Sequence, residues 1–542
     1  MKDTALRQLA RWAHGLRLED VPARVREQAI NQVLSTLAAV YSGWDSDLGR
    51  PLEQAFPAPG PGPARILPTG ITTSAAHAAM LMAAWSMVLD FDDVMLGGHT
   101  GHSSVLVPLA MARGRSGAEL LLAQIVANEV AARINMVCAV GSTRGQMATH
   151  LHLLAACAAR AKLEGLDEDR FADALGFALS YPAQALFPAF LGSDAKAMSA
   201  GWPVRIGLEA VDAVKAGLAA GADLLDDARG FFASLAYVPV REFLGGLGER
   251  WHTETTSFKI YPVCGYLCAA LDATLDLIHQ YDFSPAEVAS VYVWSSLFTI
   301  GMDAHSEPYL DGPRSRISTL TFSTPFAVAS AILAGQFGAV QLKRSWIEDP
   351  RVWELAARVR NRHDLNLTLE ALTADIPVGA ALRRIRRWQA AVFAWKLAAT
   401  AFGRSGRFRR PWQTLRLVAG LTAVAGDSKP LDFRTSTKPM GARVEIRLSD
   451  GRVLRRSVSI PRGFAGAKPR DADQQSTREL MRAKFAGAVG NVIGVERAAK
   501  SGDMIEKLEE LSPAAVARLL DLACQAPASR ENALFQSALE VN

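Results

Sequence analysis

Cysteine is scarce in this chain: Cys138, Cys157, Cys264, Cys268 and Cys524 are the only five among 542 residues. They are too few and too scattered for a disulfide framework, so free thiols are expected. No run of about 18 uncharged apolar residues occurs, which argues against a membrane span. The start, MKDTALRQLARWAHGLRLEDVPARV, alternates charge with apolar positions and lacks the apolar core of a secretory signal. A cytoplasmic protein is expected. There is no GxGxxG after a strand, no GxxxxGK followed by Ser or Thr, no HExxH and no pair of CxxC motifs at zinc spacing. Nucleotide and zinc sites are therefore unsupported, and no metal is expected. Cys264 and Cys268 form a lone Cx3C, too few ligands for a closed site.

The chain is 49% hydrophobic, enough with its length to bury a large core over about two to four domains. Up to about residue 262 the signals are helical. VREQAINQVLSTLAAV, GAELLLAQIVANEVAARINMV and THLHLLAACAARAKLEGL carry apolar residues at three- and four-residue spacing, and LDEDRFADALGFAL opens with acids suited to a helix start. Several are alanine-rich all round, as helices buried against several others require. From 263 to 470 the pattern mixes: VASVYVW reads as a strand, and ARVEIRLSDGRVLRRSVSI as a hairpin turning at Ser449-Asp450-Gly451. Helical periodicity returns over 471–542. The reading is a mostly α protein: a large all-α domain from 1–262, a smaller α+β lid domain over 263–470, and C-terminal helices that rejoin the first domain.

Net charge is +5, but residues 376–426 alone hold nine arginines, one lysine and no acid, so the remainder is net acidic. This stretch reads as two amphipathic helices broken at 403–411, within a basic insertion over about 366–430, with Trp388, Trp395 and Trp412 on them. A solvated excursion packing its aromatic face on the lid or across a dimer is one reading. Docking to an anionic partner or membrane surface is another. Nucleic-acid binding is not expected, since no recognition motif accompanies the charge.

The densest polar stretch is DFDDVMLGGHTGHSS at 90–104. If the preceding helix continues, Asp90 and Asp93 share a face, and two close carboxylates can hold one proton or draw a histidine towards its charged form. Gly97-Gly98 lets the chain turn so that His99 or His102 folds back beside them. A solvated helix end is the plain alternative. Lys196 and Lys259 lie among small or apolar residues, where a lysine is either a surface charge or an anchor for a carboxylate. Asp194 is a ready structural partner for Lys196.

In order along the chain, DFDD…GHTGHSS, LHLLAACAARAKLEGLD, AKAMSAGWPVRIGLEA, FKIYPVCGYLCAALDA, TFSTPFAVASAILAG, IEDPRVWELAARV and VEIRLSDGRVL…IPRGFAGAKP…LMRAKF resemble the MmgE/PrpD family, which includes 2-methylcitrate dehydratase and cis-aconitate decarboxylase. The resemblance runs from about residue 10 to 500. It implies a homodimer, a site between the two domains that needs no cofactor, and proton transfer next to a carboxylate with loss of water or carbon dioxide. It also implies that Asp90 is the first active-site aspartate, Lys259 the lysine of a KxYP-type motif, Lys196 the lysine opening a KxLHxG-like segment, and His102, or His99 in its place, the histidine of an HPS motif. Departures accompany it. Val94 replaces a threonine, Gln146, Ser199 and Cys268 stand where histidines are expected, and Arg205 stands for a second lysine; His150 and His152 follow Gln146 on different helix faces.

For elimination beside a carboxylate, an enzyme removes a C–H proton, stabilises enolate-like charge and protonates the leaving group. Asp90 or Asp93 would polarise His102 as acid or base, while Lys196, Arg205 and Lys259 would bind carboxylates of a small carboxylate substrate. Tyr261 would be a donor; if its segment is a strand, it points the same way as Lys259. Gln146, His152 and Cys268 would contact substrate. Fewer histidines also suit an epimerase or isomerase exchanging one α-proton, or a substrate with fewer carboxylates in a pocket lined partly by Phe91 and Val94. A binding member without catalysis is the third reading.

Overall fold

Side-chain caps mark where three of the helices of the first half begin. The computed structural model describes residues 3–141, 149–182, 184–403, 411–427, 430–467 and 475–525. Its first half is a helical assembly: α1 (Ala23–Trp44), α2 (Ala75–Val88), α3 (Gly117–Val137), α4 (His150–Leu163), α5 (Glu168–Leu179) and α6 (Met198–Lys215). Ser74 Oγ accepts the His77 amide to start α2, Ser116 and Glu119 cap α3 reciprocally, and Asp167 accepts the Arg170 amide to start α5. Ala78, Ala79, Ala83 and Ala84 on α2 and Ala155, Ala156, Ala158 and Ala159 on α4 are fully buried, and such small side chains let α6 pack against both helices at once. α3 is long and apolar enough to cross a membrane, but 89% of its apolar window is buried. It is a core helix. Its Arg133 and Glu129 pair inside the core, and Glu129 also accepts the backbone amides of His252 and Thr253 at 3.0 and 2.9 Å.

The middle of the chain builds a second core around a four-stranded sheet. After α7 (Cys268–Gln280) come β3 (Val288–Ser295), α8 (Thr324–Ala334), β4 (Val359–His363), α9 (Arg387–Gly403), α10 (Pro411–Val424), β5 (Ala442–Leu448) and β6 (Val453–Val458); two short strands near the site, β1 (Asp93–Val94) and β2 (Ser257–Phe258), precede them. The sheet order is β6-β5-β3-β4, with β3 and β4 parallel and the other pairs antiparallel. The predicted hairpin forms, with Gly451 at φ 90° in its turn. Val288, Val291 and Val293 face Ala269, Ala273 and Leu277 of α7 and Val328 and Ile332 of α8. On the other face Arg362 and Arg447 cover the Tyr292 ring, and Arg443 lies over Trp294 at 4.4 Å.

The C-terminal helix α11 (Thr477–Ile493), capped by Ser476 and Glu479, packs back on α1. Its Lys484 reaches Ser35 Oγ at 2.8 Å and the Phe91 carbonyl at 2.6 Å, and the Tyr41 hydroxyl donates to the Ala523 carbonyl. Both ends of the described chain thus share one core. In the basic stretch, α9 ends at Gly403 and α10 begins at Pro411, at the expected break; 404–410 lie outside the described residues. Trp388, Trp395 and Trp412 are exposed, so the aromatic face does not pack on the lid of its own chain, which leaves a contact across a dimer or with an anionic surface.

Candidate functional site

The helix that should have put Asp90 and Asp93 on one face stops at Val88. Asp90 takes a left-handed backbone, φ 55°, which Asp tolerates better than most side chains and which occurs preferentially at functional sites. The chain then runs extended into β1, whose antiparallel pairing of Asp93 with Phe258 and Val94 with Ser257 sets Lys259 against Asp92. The Lys259 amide donates to the Asp92 carbonyl at 3.2 Å. Asp93 points the other way, into the core, where Gln32 Nε2 and Thr36 Oγ1 donate to it at 2.8 and 3.3 Å. The carboxylates that meet the lysines are Asp90 and Asp92.

Lys259 Nζ lies 2.8 Å from Asp90 Oδ2, 2.6 Å from Asp92 Oδ1 and 2.9 Å from the Asp90 carbonyl. Lys196 Nζ lies 3.0 Å from Asp90 Oδ1 and 3.2 Å from Thr321 Oγ1, above the Phe322 ring. Asp194 is not its partner, being paired with Arg316. Burial pushes the Asp90 carboxyl up, but Lys196 and Lys259 outweigh it and hold it at about 2. For Asp92, burial is likewise outweighed by Lys259, His99 and His102, and its carboxyl sits well below the usual range. Both stay ionised inside the chain.

The Met95–Gly98 turn, closed by paired backbone bonds with Gly98 at φ 112°, folds the next residues back onto Asp92. His99 Nδ1 lies 2.5 Å from Asp92 Oδ2. His102 Nε2 approaches the same oxygen at 3.1 Å without hydrogen-bond alignment, and its Nδ1 is 2.7 Å from Ser86 Oγ. Gly101 must be glycine here, because a Cβ would stand 2.1 Å from Asp93 Oδ1. His152, on α4, meets the His102 ring edge-on at 5.4 Å, with its Nδ1 3.2 Å from Ser103 Oγ. Ser103 spends its own proton on the Thr100 carbonyl, which assigns the shared proton to His152 Nδ1 and leaves Nε2 unprotonated. Burial, reinforced by His102 and His99, holds His152 neutral.

A small, partly open cavity is lined by Asp90, His99, His152, Thr149 and Ser199, with Met87 and Phe190 as its apolar part. His99 forms part of the wall; His102 sits behind it. Ligand atoms of Asp92, His99 and His102 lie within 4.8 Å of one another, a spacing that suits a metal ion, but Lys259 already supplies a cation to that carboxylate.

The MmgE/PrpD N-terminal domain matches residues 7–240 and the MmgE/PrpD C-terminal domain matches residues 261–386. The chain belongs to the MmgE/PrpD family. It is 26% identical to a cis-aconitate decarboxylase of Aspergillus terreus (strain NIH 2624 / FGSC A1156) over 386 residues, 66% of this chain and 78% of the relative. A second Aspergillus terreus cis-aconitate decarboxylase is 25% identical over 384 residues, 65% and 77% of the two chains. Membership places the chain among enzymes of the dehydratase and decarboxylase type.

Several expected MmgE/PrpD site residues are elsewhere. Arg205 is exposed on α6 and paired with Glu209 at 2.8 Å, a helical i,i+4 pair on the face opposite the buried one. Tyr261 does not accompany Lys259: β2 ends at Phe258, and the phenol is held by Asp272 Oδ1 at 2.9 Å and Arg462. Cys268 is buried at the start of α7, its thiol pushed up by burial, outside the cavity wall. Phe91 lies under Lys484 Nζ at 4.0 Å, and neither it nor Val94 lines the cavity. His150 packs on Phe231, on a different face from His152 as expected. Gln146 lies outside the described residues. Sequence reasoning missed Asp92, Thr149, Met87 and Phe190. For Asp92 a signal existed: in an extended D-F-D, residues 90 and 92 share a side.

Proposed function

We propose that this chain is a cofactor-independent lyase that moves a proton at the carbon beside a carboxylate of a small organic acid and releases water or carbon dioxide. The observation that carries the reading is the buried Asp92 carboxylate 2.5 Å from Nδ1 of His99, whose ring shares the cavity wall with neutral His152. In dehydration, one imidazole takes the C–H proton, the electron pair forms the double bond, and the other histidine, protonated, gives its proton to the departing hydroxyl. In decarboxylation, the C–C bond breaks, its electrons stay on carbon, and His99 returns a proton there. Asp92 orients His99 through the contact at its Nδ1. Lys196 pairs with Asp90 and Lys259 with both aspartates, and these ammoniums hold the two carboxylates ionised.

Among the described residues, neither Lys nor Arg lines the cavity, and Met87 and Phe190 make one side apolar. This supports a substrate with fewer carboxylates than cis-aconitate. A homodimer, a cytoplasmic location and a lid role for the sheet unit belong to the same proposal. A panel of mono-, di- and tricarboxylic acids followed by proton NMR in deuterium oxide tests it. Alkene formation or loss of the carboxylate signal supports a lyase. Deuterium exchange without net conversion would move the assignment to an epimerase or isomerase, and binding with neither would make this a non-catalytic member.

A further inference from the structure

The proton-transfer site makes no use of the α9–α10 hairpin, and both family matches end by residue 386, before α9 begins. The inner side of the hairpin is an ordinary core face, with Ala390, Phe393 and Ala394 buried from α9 and Leu417 and Leu421 from α10. The outer side is not an ordinary water-facing surface. Trp388, Val392 and Trp395 recur at four- and three-residue spacing, one stripe of α9, and are 61, 47 and 63% exposed. Trp412 and Leu415 add two more exposed apolar side chains on α10. Exposed apolar clusters of this kind mark contact surfaces.

Charge says what covers this one. Across 376–426 there are nine arginines, one lysine and no acidic side chain. Arg383 and Arg384 turn inward to Asp375 and Glu242, whereas Arg386, Arg387 and Arg416 are exposed beside the aromatic positions. Arg416 lies over the Trp412 ring at 5.9 Å. We propose that the outer face of α9–α10 docks the protein on an anionic lipid surface, with the tryptophans at headgroup depth and the arginines on lipid phosphates. Tryptophan is favoured at that depth because its ring is apolar while its N–H still finds a partner, and arginine is drawn to an anionic leaflet. A two-fold contact of this face with itself would set arginine against arginine, which works against a second copy as the occupant.

The full chain is mixed with vesicles of phosphatidylcholine alone or with about 30% phosphatidylserine, a content that gives a strongly negative surface. Sedimentation with the anionic vesicles only, weakened by salt and accompanied by quenching of tryptophan emission by lipids brominated on their acyl chains, is expected. Trp388→Ala with Trp395→Ala should lower partitioning by about tenfold or more, and Arg386→Gln with Arg387→Gln by about fivefold per arginine. The four positions are exposed, so the helical circular dichroism should persist; if the tryptophan variant fails to fold, the arginine variant decides. Equal sedimentation with both vesicle types, unquenched emission, or unchanged binding by the variants overturns the proposal. So does a tryptophan variant that changes the oligomeric state while the parent ignores vesicles, which would make the face a contact between copies.

Discussion

Asp92 is sealed inside the chain, yet its Oδ2 lies 2.5 Å from Nδ1 of His99, a ring that reaches the cavity. The other oxygen of Asp92 is held by Lys259 at 2.6 Å. A buried anion clamped between a fixed ammonium and a partly exposed imidazole can orient the imidazole for proton transfer while neither carboxylate oxygen faces water.

Asp92→Asn and His99→Asn should each lower turnover by about 10² or more, with a double variant far from additive, because the two act as one unit. His102→Asn should cost less, since His102 stands behind Asp92 and outside the cavity wall. Steady-state kinetics on whichever acid the NMR panel identifies makes the comparison. Full loss in His102→Asn together with near-normal turnover in His99→Asn would transfer the role to His102.

Lys259→Met removes the one ammonium shared by Asp90 and Asp92. Stranding buried carboxylates in this way costs about 3–5 kcal/mol, so the variant should unfold at clearly lower urea. Lys196→Met should cost less, because Asp90 keeps Lys259. The sequence alone suggested substrate anchors, for which stability would hardly change. A Lys259→Met protein that unfolds like the parent but binds substrate weakly would restore that role.

The legible parts were local ones. Periodicity and caps such as Asp167 announce α3, α4 and α5, and Ser449-Asp450-Gly451 announces the β5–β6 turn, because each signal lies within a few residues of its effect. The parallel pairing of β3 with β4, Val291 against Val359, joins segments far apart and has no local signature. The site divides the same way. Residue types and the family resemblance picked out Asp90, His99, Lys196 and Lys259, while Asp93 was chosen over Asp92 by extending α2 through a residue that is in fact left-handed. Which carboxylate meets Lys259 is decided by the β1–β2 register, a tertiary fact. The outward direction of Arg205 was readable, since Glu209 follows it by one helical turn.

Asp92, His99 and His102 have donor spacing suited to a divalent ion, so metal dependence has a direct test. A divalent ion there would sit beside the Lys259 ammonium, 2.6 Å from the same carboxylate, and the repulsion of like charges disfavours it. Turnover is therefore expected to survive exhaustive dialysis against a chelator, with elemental analysis showing substoichiometric metal. Loss of activity that zinc, manganese or iron restores would assign the three residues to a metal centre instead.

Stability should rise with pH from about 6 to about 8.5, driven by buried bases that fold without their protons. Burial pushes Lys438 and Lys484 down to about 7 from an ordinary value of 10.5, and Lys162 to about 8. Between those values and 10.5 the unfolded chain binds protons that the folded chain has shed, so raising pH favours folding. His150, His152 and His252 are also pushed down by burial, so protonation of the unfolded chain draws stability away as pH falls through 6.5. The rise ends where buried thiols take over. Cys138, Cys157 and Cys264 are pushed up to about 12, so the unfolded chain ionises first above pH 9 and stability declines. Urea midpoints at pH 6, 7, 8 and 8.5 should therefore climb, and Lys438→Met, which has no proton to shed, should flatten the upper part of the climb. A midpoint that falls between pH 7 and 8.5, or a Lys438→Met profile parallel to the parent's, would mean that these lysines keep their charge inside the fold.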